Sequence, residues 1–258
     1  MIEITSKDNS VIKYLSKLQT SSKFRREEGK FVCEGLRVCL EALNGNAEVD
    51  KVFVTQDMHD KHESELSALL NCGAETYLIS NKLMSLVADT KTPQGVICIL
   101  KALDNSIVFD TINNKCIFLQ NIQDPNNLGT ILRTADALGI SAVIMTRDCC
   151  DIYSPKVSRG AMGALFRVPF CFVDDAVAFV KEFSKSGTSY AAVVRDAEKL
   201  TDCKLDGNVL VAIGNEGNGL TKELIDACDY KVTIPMQGNA ESLNAAIASG
   251  ILMWEMMK

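Results

Sequence analysis

Apolar positions in this chain recur with two periods, and those periods divide it into elements. Val11, Ile12, Leu15 and Leu18 are spaced for one helix face, with Asp8 or Asn9 placed to cap it. Leu36, Cys39, Leu40 and Leu43 repeat the spacing inside CEGLRVCLEAL, and Asn44-Gly45-Asn46 stops the run. KVFVT reads as a strand, HDKHESELSALL as a helix, and ETYLI and GVICIL as two further strands. The stretch from Leu103 to Asn114 turns polar and reads as a linker. Beyond it the runs KCIFL, SAVIM, RVPFCF, SYAAVV, NVLVAIG and YKVTIPM alternate with helical patterns such as GTILRTADALG and DDAVAFVKEF. Near-continuous apolar strands of this kind belong to a parallel sheet covered on both faces. SLNAAIASGILMWEMMK closes the chain as a helix with Ser242 at its N-cap. The pattern predicts an α/β fold in two domains, residues 1–103 and 104–258.

Composition narrows the class. With 47% hydrophobic and 23% charged residues, the 258-residue chain can bury a core, which excludes disordered and low-complexity classes. Its apolar runs are far shorter than the ~20 residues a membrane span needs, and MIEITSKDNS has no signal-peptide apolar region. A soluble, cytoplasmic protein is expected. Ten cysteines occur without a C-x-x-C pair and mostly inside apolar runs, so reduced, buried thiols are expected rather than disulfides. The two histidines, His59 and His62, lack the partners of a zinc site and read as part of a solvated helix, so no metal is expected. Any acid–base chemistry after residue 62 must use another side chain.

The net charge of -6 argues against indiscriminate binding to nucleic acid. It leaves room for a local basic face. In KFRREEGK, Lys23, Arg25, Arg26 and Lys30 are candidates for contact with phosphate.

Three polar, glycine-containing segments follow expected strands, where ligands bind in an open parallel sheet. In NIQDPNNLGTILRTA, turn formers precede a helix that carries Asn127 and Arg133. In IGNEGNGL, glycines allow close backbone approach, and a single carboxylate, Glu216, stands among them. The spacing is neither a Walker loop nor the dinucleotide fingerprint. In TIPMQGNAESLNAAIASGI, a strand ends at Ile234-Pro235, and Ser242 and Asn244 open the last helix, where exposed backbone donors could hold a carboxylate or a ribose.

Together and in this order, NNLGTILRTA, GNEGNGL and IPMQGNAESLN resemble the three motifs of the SpoU/TrmH RNA 2′-O-ribose methyltransferases of the SPOUT superfamily. SRGAMGALFRVPF is similar to the stretch between the family's first two motifs, and KFRREEGKFVCEGLRVCLEAL resembles the ribosomal-protein-like substrate-binding domain of many members. The resemblance implies a trefoil-knotted methyltransferase domain that binds S-adenosylmethionine. Gly214, Ile234 and Leu243 match the family's cofactor contacts. Arg133 matches the arginine proposed there as base. A guanidinium is a poor base, and clamping the RNA phosphate while stabilising the forming alkoxide suits it better. By the same resemblance Asn127 and Asn244 position Arg133 and the ribose, and Glu216 and Ser242 complete the site. The extra N-terminal domain favours ribosomal RNA, 23S in particular, over transfer RNA. The family resemblance also implies a homodimer through the C-terminal domain, and the apolar terminal helix with Trp254 agrees with it. Two other classes compete: a catalytically silent RNA-binding knot, against which the retained polar residues count, and a nicotinamide dehydrogenase, against which the glycine spacing counts.

Overall fold

The computed structural model describes residues 1–103 and 115–258, so the expected linker between Leu103 and Asn114 lies outside the described residues. By its internal contacts the chain forms two units: Met1–Asp104 with Asp151–Phe166, and Asn105–Cys150 with Arg167–Lys258.

The first unit is built on β1 (Ile2–Ile4), β2 (Lys30–Glu34), β3 (Val49–Val54), β4 (Glu75–Ile79) and β5 (Val96–Lys101). They lie in the order β1-β4-β3-β5-β2, with β5 antiparallel to both neighbours and the other pairs parallel. Its helices are α1 (Ser10–Thr20), α2 (Ser22–Glu28), α3 (Leu36–Asn44), α4 (Gln56–Lys61), α5 (Glu63–Leu70) and α6 (Asn81–Val87). Asn9 caps α1, accepting from Val11 N, and Ile12, Leu15 and Leu18 face the core. The buried side of α3 is Val38, Cys39 and Ala42, a face rotated from the expected leucines. The expected single helix over 59–70 breaks at His62 into α4 and α5.

The second unit contains a seven-stranded sheet in which every pairing is parallel. Its strands are β6 (Lys115–Leu119), β7 (Ala142–Thr146), β8 (Phe170–Val173), β9 (Thr188–Ala192), β10 (Glu198–Lys199), β11 (Val209–Ile213) and β12 (Tyr230–Thr233). The order is β10-β12-β9-β11-β6-β7-β8. The chain moves outward from β6 through β7 to β8, then restarts on the other side, which creates a topological switch point between β6 and β11. Alternate residues explain the double burial. Cys116, Phe118, Leu210 and Ala212 join a cluster with Val180 and Leu224. Those last two belong to α9 (Ala176–Phe183) and α10 (Lys222–Ala227). On the opposite side, α7 (Pro125–Leu138) and α11 (Ala245–Met256) pack on each other, with α11 against β6 and β11 and α7 against β7.

Between β7 and β8 lies α8 (Pro155–Ala161), and here the structure departs from the expected division at 103/104. Residues 151–166 belong to the first unit because their apolar groups pack on β2. Tyr153 lies 4.5 Å from Phe31, ring centre to ring centre, and Ser158 Oγ is 3.2 Å from Cys33 Sγ. The same segment corrects a second expectation. Arg25 is not available to RNA: it is 6% exposed, its Nη2 pairs with Asp151 at 2.6 Å, and its Nη1 donates to the carbonyls of Leu18 and Gln19. A buried guanidinium needs such partners, and the carbonyls at the end of α1 and the Asp151 carboxylate supply them.

All ten cysteines are free. Burial pushes up the thiols of Cys33, Cys116, Cys171 and Cys228, that of Cys116 to about 12, which leaves these four protonated and unreactive at neutral pH. No helix among the described residues is long and apolar enough to cross a membrane. No group of metal-ligating side chains that could hold an ion occurs among them either.

Candidate active site

The loops that follow β6, β9, β11 and β12 leave the sheet at the same edge, because all four strands are parallel. After β6, Asp124 caps α7 by accepting from Asn126 N, and Pro125 fits the first turn, whose N–H groups need no helical partner. Asn127 is thereby fixed in that first turn, 6% exposed. After β12, the cap of α11 is Asn244 rather than the expected Ser242: its Oδ1 accepts from Ala246 N at 2.9 Å and Ile247 N at 3.3 Å. An asparagine carbonyl caps as well as a hydroxyl and leaves an amide donor to spare.

That donor completes a chain of side chains. Asn244 Nδ2 donates to Asn127 Oδ1 at 2.9 Å, and Asn127 Nδ2 donates to Glu216 Oε1 at 2.6 Å. One residue from each of the three polar segments is thus joined to the next.

Residues that the sequence reading missed hold the glycine loop in place. Asn215 Oδ1 accepts from Gly217 N at 2.8 Å and Asn218 N at 3.2 Å, while its Nδ2 donates to the Asn121 carbonyl at 2.9 Å. Gln120 clasps Thr221 twice, accepting from its N–H at 2.8 Å and donating to its hydroxyl at 3.1 Å. Asn215 sits inside the quoted GNEGNGL, and its position before the carboxylate was the available signal. Gln120 gave none, since a glutamine at a strand end is ordinary surface. At Gly214 an added Cβ would come within 2.1 Å of the Gly219 carbonyl carbon, so only glycine lets the loop close there.

The loops enclose a cavity of about 490 Å³. Gly214, Glu216, Ile234, Ser242 and Leu243 all line it, together with Ile213, Leu220 and Leu252. Arg133 does not. It lies exposed in a separate groove between α7 and α11, with Thr130, Ile247, Ile251 and Trp254, and its side chain makes no hydrogen bond or ion pair to another described residue. In the first unit, Lys23 and Arg26 are exposed, while Lys30 is held by Asp50 at 2.9 Å.

A model of the SpoU rRNA Methylase family matches residues 114–254, more than half of the chain. The chain belongs to the SpoU rRNA methylase family. Residues 9–98 of this SpoU protein match a second model, the MRM3-like substrate binding domain. The 23S rRNA (guanosine(2553)-2′-O)-methyltransferase RlmP of Bacillus subtilis (strain 168) is 29% identical over 257 residues, 99% of both chains. The 23S rRNA (guanosine-2′-O-)-methyltransferase RlmB of Ralstonia nicotianae is 28% identical, covering 81% of this chain and 88% of its own. Among solved structures, the AdoMet-bound rRNA methyltransferase from Sinorhizobium meliloti superposes with a TM-score of 0.88 at 27% identity, covering 98% of this chain and 96% of that one. AviRb from Streptomyces viridochromogenes, in complex with the cofactor AdoMet, gives 0.86 at 25% identity, with 96% and 97% covered.

The cofactor of this SpoU methyltransferase is S-adenosylmethionine, and the cavity suits it. Its volume is within the range of small-molecule sites, Ile213, Leu220, Ile234 and Leu252 give it apolar walls, and Gly214 leaves one wall as bare backbone.

Proposed function

We propose that this protein methylates the 2′-hydroxyl of a ribose in 23S ribosomal RNA, with guanosine the nucleotide named in both curated relatives, and that it works in the cytoplasm as a homodimer. The observation that carries the catalytic part is the Asn244–Asn127–Glu216 chain beside a cavity lined by the other motif residues. When bound, S-adenosylmethionine supplies a methyl group made electrophilic by its sulfonium. Gly214, Ile234 and Leu243 hold it through the walls of the cavity, and Glu216 and Ser242 give that wall its polar face.

Arg133 carries the RNA side of the reaction. Its exposed guanidinium has no partner among the described residues, so it can take the phosphate beside the target ribose and stabilise the 2′-oxygen as negative charge develops. Asn127 and Asn244 fix the starts of α7 and α11, and with them the approach of the ribose. With the cofactor bound, its sulfonium would supply the methyl group to the 2′-oxygen, while Arg133 would hold the RNA phosphate as the hydroxyl proton leaves to solvent or to that phosphate. Holding these groups in line supplies much of the acceleration.

Lys23 and Arg26 on α2 are assigned to RNA phosphates, in a first unit that presents the substrate. The dimer is assigned to the α7–α11 groove, where Ile247 is 57% and Trp254 58% exposed. That face also carries Arg133, so dimerisation would border the site. A trefoil threading of the loops after β11 and β12 belongs to the same reading, supported by the insertion of β11 between β9 and β6.

The test is mapping by mass spectrometry of nuclease digests. The purified protein with S-adenosylmethionine should place one 2′-O-methylguanosine in unmodified 23S RNA, and cells lacking the gene should lack that mark. Methylation of transfer RNA alone would overturn the substrate. Light scattering that returns a mass near the 28.2 kDa of one chain, from an active sample, would overturn the dimer.

A further inference from the structure

Among the described residues lining the cofactor cavity, three carry charge: Arg195 after β9, Glu216 in the glycine loop and Glu241 before α11. Glu216 is engaged by Asn127. Arg195 and Glu241 are exposed, and neither makes a hydrogen bond or ion pair with another described residue. This contrasts with other arginines of the same unit, for Arg147 pairs with Asp174 and Arg167 with Asp136. In a chain with net charge -6, an arginine left without an acid beside a cavity is available to a ligand.

We propose that Arg195 and Glu241 form a clamp for the methionyl end of the cofactor, Arg195 binding its α-carboxylate and Glu241 its α-ammonium. The inference rests on the assignment of this cavity to S-adenosylmethionine. A nucleoside thioether needs apolar walls and backbone, which Ile213, Leu220 and Ile234 provide. The amino-acid end is a zwitterion and needs one cation and one anion. The lining offers one basic side chain and, besides the occupied Glu216, one carboxylate. The total is complementary as well: one cation against two carboxylates faces a ligand with net charge of +1. The demethylated product has lost its sulfonium charge and is neutral overall, so the same lining attracts it less.

The experiment is isothermal titration of the full-length protein and its Arg195→Gln and Glu241→Gln variants. The probes are S-adenosylhomocysteine, 5′-methylthioadenosine, which lacks the amino-acid end, and decarboxylated S-adenosylmethionine. For partly solvated charge pairs, each variant should bind S-adenosylhomocysteine about fivefold more weakly and 5′-methylthioadenosine equally well. Decarboxylated S-adenosylmethionine should be insensitive to Arg195→Gln and weakened by Glu241→Gln. If both variants bind S-adenosylhomocysteine like the unaltered protein, or lose both thioether ligands in parallel, the clamp is wrong while the cavity assignment stands. If the unaltered protein binds none of the three probes, the cavity assignment itself falls.

Discussion

Asn127→Asp keeps the shape of the side chain and replaces only the donor that faces Glu216, so it isolates the link at the centre of the site. In the native protein that donor lies 2.6 Å from Glu216 Oε1. The substitution sets two carboxylate oxygens against each other. With an effective dielectric of about 40, between interior and water because Glu216 is exposed, their repulsion is about 3 kcal/mol. Rotation of Glu216 into solvent relieves roughly half of that, and the lost charge-assisted hydrogen bond adds about 1 kcal/mol. The expected loss is about 2–3 kcal/mol at pH 8, or roughly 5–10 °C in melting temperature for a unit of this size.

Two carboxylates so close repel when both are ionised, so the affinity of the pair for one proton rises. The destabilisation is therefore full at high pH and shrinks as pH falls and a shared proton restores a hydrogen bond. Asn127→Ala loses its hydrogen bonds at every pH and should show no such recovery. Thermal unfolding by near-ultraviolet circular dichroism at pH 8 and pH 5, each variant referred to the unaltered protein, measures the difference. A deficit for Asn127→Asp that is equal at both values, or no larger than that of Asn127→Ala at pH 8, would falsify the role given to the Asn127–Glu216 link.

Three further outcomes follow from named contacts. Arg133→Ala should reduce methyl transfer to less than about a tenth, a loss above ~1.4 kcal/mol, with S-adenosylhomocysteine affinity unchanged by titration; retained turnover would remove Arg133 from the mechanism. Arg25→Ala should cost about 3–5 kcal/mol of stability by urea unfolding, because it strands Asp151, whereas Arg26→Ala should leave stability unchanged and weaken RNA binding; the reverse pattern would contradict both assignments. Burial raises the Asp229 carboxyl, but the Ser189 N–H at 2.9 Å and the Ser184 and Ser189 hydroxyls outweigh it and hold the pKa below the ordinary carboxylate value. That stabilisation is present above the unfolded pKa and lost as pH falls through the native one. Asp229→Asn should therefore cost up to about 1 kcal/mol at neutral pH and little near pH 3, a difference that urea titrations at the two values would detect.

Elements whose pattern is local were legible in advance. KCIFL and ETYLI appear as strands with the expected bounds, because a continuous apolar run bounded by polar residues has few alternatives. β1, only three residues long, and α6 and α10 escaped notice, since so short a segment carries too few positions to establish a period. The helix expected from Cys33 onward starts later because Lys30–Glu34 pairs with β5 as a strand, and that pairing involves residues more than sixty positions away.

The site divides in the same way. The identities of Asn127, Glu216, Ser242 and Asn244, and the glycines that let their loops close, were written in the motifs, because the chemistry restricts which residue types can stand there. Tertiary structure decided which of these groups meet: the Asn244–Asn127–Glu216 chain spans residues 127 to 244 and exists only because parallel strands deliver their loops to one edge. It also decided the fate of the basic stretch, where four similar cations became one buried arginine, two paired lysines and one exposed arginine. Charge is a property of the residue, but whether that charge is free depends on the carboxylates that folding brings beside it. For Arg25 that carboxylate, Asp151, lies 126 positions away in sequence.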